Sequence, residues 1–564
     1  MVIRNIEISA NTVSEFEANS VREEFKFSFD SNNIYSDIPS KNLFTPTQSL
    51  PAVPQILTET GSSRHLVEMT IPQSWAFGIA FVCLLAYYWW RGQQLRHIPT
   101  VGSSSPFLSF IGAIEFLYNA PGVVQRGADQ YGHAIFKIPN LDRWTVVVTG
   151  TKYIEELRKV PEEILSFVDA ESELLQTPYT LGPTIEENQY HVPIVRSTLT
   201  RNLAAIFPSL HNEIRSAFDD VLGDKLHNNE WSKFCVMDIL MPIVCRTSGR
   251  ALVGFPLCRN TDFSEINVQF TLTVIKAASV LYLLPEFLKP VAAYFITSVS
   301  NTIDRTADHL RPVVEERRRK TEEFGADYPE KPNDMLSWLI DKADGEETSV
   351  RNLALRILAI YLAAIHTMTL TFTHVVYYLA ANPKYVAALL EEITAAVDET
   401  GWNRSTLNRL VKVDSFIKET QRLNAIGCLL MPRVAREPFT FSDGTYIPKG
   451  THIEVAAHAT HLDDSNYSNP TTFDPFRFVD MTNSKNKGRK LDMASTHADF
   501  VAFGHGVHAC PGRFFAADVL KLMLVHIVLN YDVKLLGDHP KNMWILRSCV
   551  PSRTAEVLFR KRVA

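Results

Sequence analysis

Cysteine is scarce in this sequence, occurring seven times in 564 residues. That is far too thin for a disulfide scaffold. The positions (83, 235, 245, 258, 428, 510 and 549) form no CxxC pair and no His/Cys group at zinc spacing. An odd number leaves at least one thiol unpaired in a monomer, and a reducing compartment suits the main body. Net charge is also small: 56 Lys+Arg against 62 Asp+Glu leave −6, which gives no basic footprint for nucleic acid. Ordinary Gly (24) and Pro (30) contents exclude a collagen-like or wholly disordered chain. No internal repeat is visible, so a solenoid is excluded. At roughly 100–200 residues per domain the length allows three or four domains, or one large fold.

What is present is uneven along the chain. Residues 1–70 carry nine acids and five Lys/Arg among many Ser, Thr, Asn and Pro. They show no sustained helical period, and Ser31–Ser40 and Thr45–Pro54 read as irregular chain. This N-terminal extension is either a disordered tail or a luminal or regulatory segment. From Ile71 to Trp90 the sequence IPQSWAFGIAFVCLLAYYWW is 20 residues without a charge. As a helix it would span about 30 Å, enough for a bilayer core. Tyr87–Trp90 suits an aromatic belt, and Arg91 and Arg96 follow at once, which favours a cytosolic C-terminal side. The expectation is a transmembrane anchor at 71–91, then a Pro/Gly/Ser connector at 92–110 that resists continuous helix.

Beyond the connector, long helical patterns dominate. Val147–Val148 and Phe439–Val455 are the clearest strand candidates, the latter with Asp443-Gly444 as a hairpin turn. Leu353–Ala381 is a long, mostly apolar run closed by Asn382-Pro383, which predicts a central helix buried nearly all round. Arg356, His366 and His374 within it argue against a second membrane span. The run Glu315–Glu323 (EERRRKTEE) mixes both signs at helical spacing and reads as a solvated helix face.

Chemistry concentrates at Phe503–Phe514, FGHGVHACPGRF. Three glycines surround one cysteine, and Pro511 leads into an apolar helix. A thiolate there lies near a positive helix N-terminus and receives backbone N–H bonds, both of which stabilise its charge. Such a loop presents one sulfur to a soft metal centre, and thiolate-ligated haem is the best-known case.

In these residues the sequence resembles the cytochrome P450 family. The family's F-x-x-G-x-x-x-C-x-G loop is matched by Phe503, Gly506, Cys510 and Gly512, its E-x-x-R by Glu419 and Arg422, and its P-x-R-F segment by Pro475-Phe476-Arg477-Phe478. The resemblance implies a mainly α-helical fold with small β-sheets, here 111–564, preceded by the single transmembrane helix. It implies haem b with Cys510 as axial thiolate, and a structural ion network of Glu419, Arg422 and Arg477. Haem propionates would meet Arg433, His508 (where the family usually has Arg) and Arg196, although the tryptophan that normally precedes the last is missing.

Ala363-Ala364-Ile365-His366-Thr367 falls where the family has [AG]-G-x-[DE]-T. Thr367 would deliver protons on the oxygen side. His366 replaces the usual acid; it either relays protons near neutral pH or points away and makes a fixed hydrogen bond. This variant resembles a fungal subgroup that includes ent-kaurene-oxidase-like enzymes, as does Lys331–Leu336 (KPNDML).

The activity implied is oxidation of a lipophilic small molecule, a terpenoid or sterol of secondary metabolism, using O2. No Gly-rich dinucleotide segment occurs in the chain, so electrons would come from NADPH through a separate cytochrome P450 reductase, with cytochrome b5 as a second candidate donor. Localisation would be the endoplasmic reticulum membrane, single-pass, catalytic domain in the cytosol. Rival readings are a thiolate-haem isomerase or dehydratase needing no reductase, a xenobiotic or fatty-acid hydroxylase, and a non-catalytic haem sensor.

Overall fold

The computed structural model describes residues 93–105, 108–226, 230–484 and 490–562. The extension at 1–70 and the expected anchor at 71–91 lie outside the described residues.

Helix α1 (Leu108–Tyr131) leads into strands β1 (Ile135–Pro139) and β2 (Trp144–Val148), helix α2 (Thr151–Leu157), strand β3 (Leu165–Ser166) and helix α3 (Phe167–Leu175). The helical body follows: α4 (Thr200–Leu222), then strand β4 (Ser232–Cys235), α5 (Val236–Leu252), α6 (Thr261–Tyr282), α7 (Lys289–Ile296), α8 (Val299–Phe324), α9 (Val350–Ala381), α10 (Val386–Thr400) and α11 (Val411–Leu423). Strands β5 (Leu430–Ala435), β6 (Phe439–Thr440), β7 (Tyr446–Ile447) and β8 (His452–Val455) come next. Helix α12 (Arg513–Asn530) precedes β9 (Tyr531–Leu535), β10 (Met543–Ile545), β11 (Ser548–Val550) and β12 (Glu556–Lys561).

The main sheet has the order β1-β2-β8-β5-β3, with β2 and β8 parallel and its other pairs antiparallel. A second sheet runs β4-β12-β9, and β6-β7 and β10-β11 form separate hairpins. The Asp443-Gly444 turn closes β6 on β7, with Gly444 at φ +90°, a backbone state that glycine adopts without a Cβ penalty.

The connector is stitched to the sheet. Lys137 N–H donates to the Pro99 carbonyl at 2.8 Å and Val101 N–H to the Lys137 carbonyl at 3.0 Å. Ile98 and Val101 are buried, so the apolar residues spaced among the glycines and serines join the core.

Central helix α9 begins three residues earlier than the apolar run suggests, because the Ser349 side chain accepts the Asn352 N–H at 3.2 Å as an N-cap. It ends at Asn382-Pro383, where proline cannot continue the ladder. Among the described residues it is the one helix long and apolar enough to cross a membrane, and most of it is buried by surrounding protein. It packs on α5, α6, α8, α11 and α12. Beyond its first turn one residue, Ala363, is exposed, and Leu362, Ala364, His366 and Thr367 beside it are half-buried.

The charged run on α8 is solvated as expected at Arg319, which pairs with Glu316 at 3.0 Å and Glu323 at 2.7 Å. Arg317 differs. It turns inward, grips Asp334 through two bonds of 2.6 and 2.7 Å, and donates to Ser337 Oγ at 2.9 Å.

Candidate active site

The cysteine loop is wound by its own backbone. Cys510 N–H donates to the Phe503 carbonyl at 2.8 Å, and Ala509 N–H to the Gly506 carbonyl at 3.1 Å. Gly506 has φ +85°, and a Cβ there would lie 2.8 Å from Arg158 Cβ and 3.0 Å from its carbonyl oxygen. Only glycine fits that position. His505 bonds Glu155 of α2 at 2.9 Å and Thr496 at 3.1 Å, which fastens the loop.

Gly512 is the N-cap of α12, so the Cys510 sulfur sits at a helix N-terminus. Burial raises its pKa, while the N–H groups of Gly512 and Arg513 and the Arg513 charge oppose that rise. Those interactions favour a thiolate, the form that ligates metals. Cys510 is half-buried.

Behind the loop, Glu419, Arg422 and Arg477 meet. Arg422 holds both Glu419 oxygens at 2.8 Å, and Arg477 Nε reaches the same carboxylate at 3.0 and 3.2 Å. Glu419 and Arg422 are completely buried. Such charges are tolerable inside a protein only when paired and hydrogen-bonded, and here they are.

Two of the three residues expected as propionate partners, His508 and Arg433, meet at one ring. His508 stacks on Phe167 at 5.1 Å, and the Arg433 guanidinium lies 5.4 Å from the same ring. Burial lowers the His508 pKa, and the charges of Arg433 and Arg196 lower it further against the pull of Glu162. Glu162 bonds His508 at 3.0 Å and accepts the N–H groups of Phe167 and Val168. Arg196 is exposed, on the turn Ile194–Leu199 whose Val195 approaches Gly512; it has no side-chain partner among the described residues.

Arg433 is buried, its pKa pushed down by burial to about 10, and its Nε has no partner among the described residues. An orphaned buried donor costs about 1–3 kcal/mol. Arg433 donates from Nη1 to the Pro432 carbonyl at 2.7 Å, and its remaining donors with the nearby charge of Arg196 fit an anionic ligand, of which a haem carboxylate is one. The residues therefore fit the group: a thiolate donor on one side, cations for its propionates on the other.

On α9, Thr367 Oγ1 donates to the Ala363 carbonyl at 2.8 Å, and both residues lie in the less buried stretch of the helix. His366, about 100° further round the helix, faces the Val268 carbonyl of α6. Burial lowers its pKa, and its Nε2 is buried without a partner among the described residues. Nothing local marks Glu162, Phe167 or Glu155; each reaches the cysteine loop through the tertiary fold alone.

A mainly helical fold wrapped around a cysteine loop, a buried Glu-Arg-Arg network and a central helix less buried around Thr367 defines a haem-thiolate protein. The family model for cytochrome P450 matches residues 104–559. A cytochrome P450 monooxygenase 151 of Postia placenta is 42% identical over 87% of this chain and 99% of its own length. An ent-kaurene oxidase P450-4 of Gibberella fujikuroi is 30% identical over 86% of this chain and 97% of its own. A solved structure of a retinoic acid-bound cyanobacterial CYP120A1 superposes with a TM-score of 0.60 at 18% identity, covering 82% of this chain and 98% of that one.

The chain belongs to the cytochrome P450 family, with fungal monooxygenases among its relatives. It is a monooxygenase; membership implies haem held by a cysteine thiolate, a reductase as redox partner and a lipophilic substrate.

Proposed function

We propose that the protein is a membrane-anchored monooxygenase of the endoplasmic reticulum that oxidises a terpenoid or sterol of secondary metabolism with electrons from NADPH. Its haem domain runs from 111 to the C-terminus and faces the cytosol, and cytochrome b5 is a second electron donor. The observation that carries the reading is the half-buried Cys510 at the N-terminus of α12, in a loop that Gly506 allows, together with a half-buried Thr367 beside the exposed Ala363 of the central helix.

When bound, the haem supplies dioxygen activation and oxidation of a C–H bond. The chain's own residues do the rest. Cys510 would hold the iron, within the loop shaped by Phe503, Gly506 and Gly512, and Arg433, His508 and Arg196 would hold the propionates. The Thr367 hydroxyl can rotate from the Ala363 carbonyl to pass protons, while His366 braces α9 against α6.

The uncharged 20-residue run at Ile71–Trp90 supports a membrane anchor. Exposed apolar side chains on and before α7 (Phe287, Val291, Tyr294, Phe295) and on α1 (Leu108, Ile111, Tyr118) suit contact with a bilayer surface. Similarity to an enzyme named ent-kaurene oxidase supports a terpenoid.

The test is expression with a NADPH-cytochrome P450 reductase in microsomes and analysis of oxidised products from terpenoid and sterol panels. NADPH-dependent hydroxylation is expected, and Cys510→Ala should lose both product and the reduced-CO absorbance typical of thiolate haem. Conversion without NADPH would instead favour an isomerase or dehydratase.

A further inference from the structure

Arg356 lies near the N-terminal end of α9 and is completely buried, and every nitrogen of its guanidinium is engaged. Nε and Nη2 take the two oxygens of buried Glu347, the first at 3.0 Å, in the turn Gly345–Thr348 just ahead of the helix. Nη2 also donates to the Thr184 carbonyl at 2.9 Å, and Nη1 to His191 Nδ1 at 3.2 Å. The Tyr190 ring lies 5.0 Å from the guanidinium carbon. Burial, with the Arg356 charge adding to it, pushes the His191 pKa down to about 4, so the neutral ring accepts that bond.

Glu347 alone would neutralise the arginine. The other contacts all go to the chain between Thr184 and His191, which a planar guanidinium with partners on every side holds in one orientation.

That chain leads to Arg196. From His191 it is helical through Leu222: a short turn at His191–Pro193, a π-helical turn at Ile194–Leu199, then α4. A π turn holds one residue more than an α turn and occurs mostly at functional sites. Relaxing it to α geometry would rotate its N-terminal side by about 100° relative to α4. The α4 side is packed on α5 and α12, and the other side is the one that Arg356 holds. Between them, Val195 Cγ1 stands 3.6 Å from where a Cβ on Gly512 would be, which sets the turn against the cysteine loop. Arg196 comes next, exposed, and its charge bears on both His508 and Arg513. About three turns of α9 separate Arg356 from Thr367, so one side of the helix carries both.

We propose that Arg356 is a positioning residue for haem binding: through His191 it keeps the register of the π turn at Ile194–Leu199, and that register aims Arg196 at a haem carboxylate beside the cysteine loop. This rests on the contact between Arg196 and a propionate in the reading above. Arg356 and His191 touch neither haem nor substrate; they act through Arg196.

Haem transfer from loaded full-length protein to apomyoglobin gives the dissociation rate. Arg196→Gln should lose haem about tenfold faster, the size of one hydrogen bond between charged groups. His191→Phe leaves Arg356 paired with Glu347 and should lose haem faster by a similar factor. Combining the two should be no worse than the faster single variant, because an arginine already misaimed cannot be lost twice. A general weakening of the fold would instead multiply the two factors. His191→Asn keeps an acceptor and should recover most of the wild-type rate. If His191→Phe does not accumulate, Arg356→Lys takes its place, keeping the charge on Glu347 without the fork.

Multiplied factors in the double variant overturn the proposal. So does a wild-type rate in His191→Phe, or a rate in His191→Asn equal to that of His191→Phe. An unchanged rate in Arg196→Gln is a different failure, that of the propionate contact itself, and the role of Arg356 falls with it. Failure of the monooxygenase reading shows separately, as a wild type lacking the thiolate-type reduced-CO band or NADPH-dependent product.

Discussion

Arg477 Nε lies 3.0 Å from Glu419 Oε1 across 58 residues of chain, and Arg422 grips the same carboxylate from within α11. The remaining guanidinium donors go to backbone. Arg422 reaches the carbonyls of His461 and Pro470 at 2.6 and 2.7 Å, and Arg477 those of Ser468 and Thr472 at 2.5 and 3.0 Å. These charges pin the chain from His461 to Thr472, between β8 and the cysteine loop. The network is therefore a fastening for the segment that leads into the haem loop.

Glu419→Gln should be severe, because it leaves two buried guanidinium groups without a counter-charge. Breaking a buried pair costs about 3–5 kcal/mol, against a total stability on the order of 5–15 kcal/mol. Little haem-loaded protein should accumulate, as read by absorbance and by the denaturant midpoint of whatever is recovered. A wild-type midpoint would mean that the network does not hold the fold.

Arg433→Leu separates folding from haem retention. The guanidinium is buried with an unpaired Nε, so replacing it by an apolar group should leave apoprotein stability within about 1 kcal/mol of wild type. Haem should leave faster, as measured by transfer to apomyoglobin. Arg433→Lys restores the charge without the planar fork and should fall between the two. Equal haem loss in all three proteins would remove Arg433 from propionate binding.

Acid should loosen the same region through His461. Its ring is completely buried, and burial, reinforced by the Arg422 charge, lowers its pKa to about 3. The neutral ring accepts the Val501 N–H at 3.0 Å, just ahead of the cysteine loop. The unfolded chain binds a proton near pH 6.5, so the stabilisation is complete above that pH. It declines as pH falls toward 3, because the unfolded state then takes up the proton first. Stability measured from pH 7 to 4 should fall less steeply in His461→Gln, and an unchanged slope would exclude His461 as a source of acid sensitivity.

The parts of the site legible in the sequence are those where chemistry demands residue types at short fixed spacing. Cys510 among its glycines, Glu419 with Arg422, and Ala363–Thr367 are of that kind. Helix α9 was legible because an apolar run met a proline stop. Phe167 and Glu162 were not, since they touch His508 only after α3 and the strand before it have folded onto β5. Arg317 reads as one more charge on a solvated face until Asp334, the N-cap of the short helix Met335–Lys342, draws it inward. The connector reads as a Pro/Gly/Ser segment that resists continuous helix, and its packing shows only in the structure, where Ile98 and Val101 are buried.

Thr367 supplies the last test. Its hydroxyl donates to Ala363 at 2.8 Å and lies 3.3 Å from the Ala364 carbonyl, so removing it breaks only a bond internal to an already hydrogen-bonded helix. Thr367→Ala should therefore fold, bind haem and show wild-type reduced-CO absorbance. The loss should fall on proton delivery, with NADPH consumption continuing while hydrogen peroxide rises and product per NADPH drops by roughly tenfold, within the usual range for a positioned proton donor. Thr367→Ser keeps the hydroxyl and should recover most of the coupling. His366→Gln, which removes the titrating ring but leaves Thr367 in place, should couple nearly as well as wild type if His366 only braces α9 against α6. A loss equal to that of Thr367→Ala would instead put His366 in the relay.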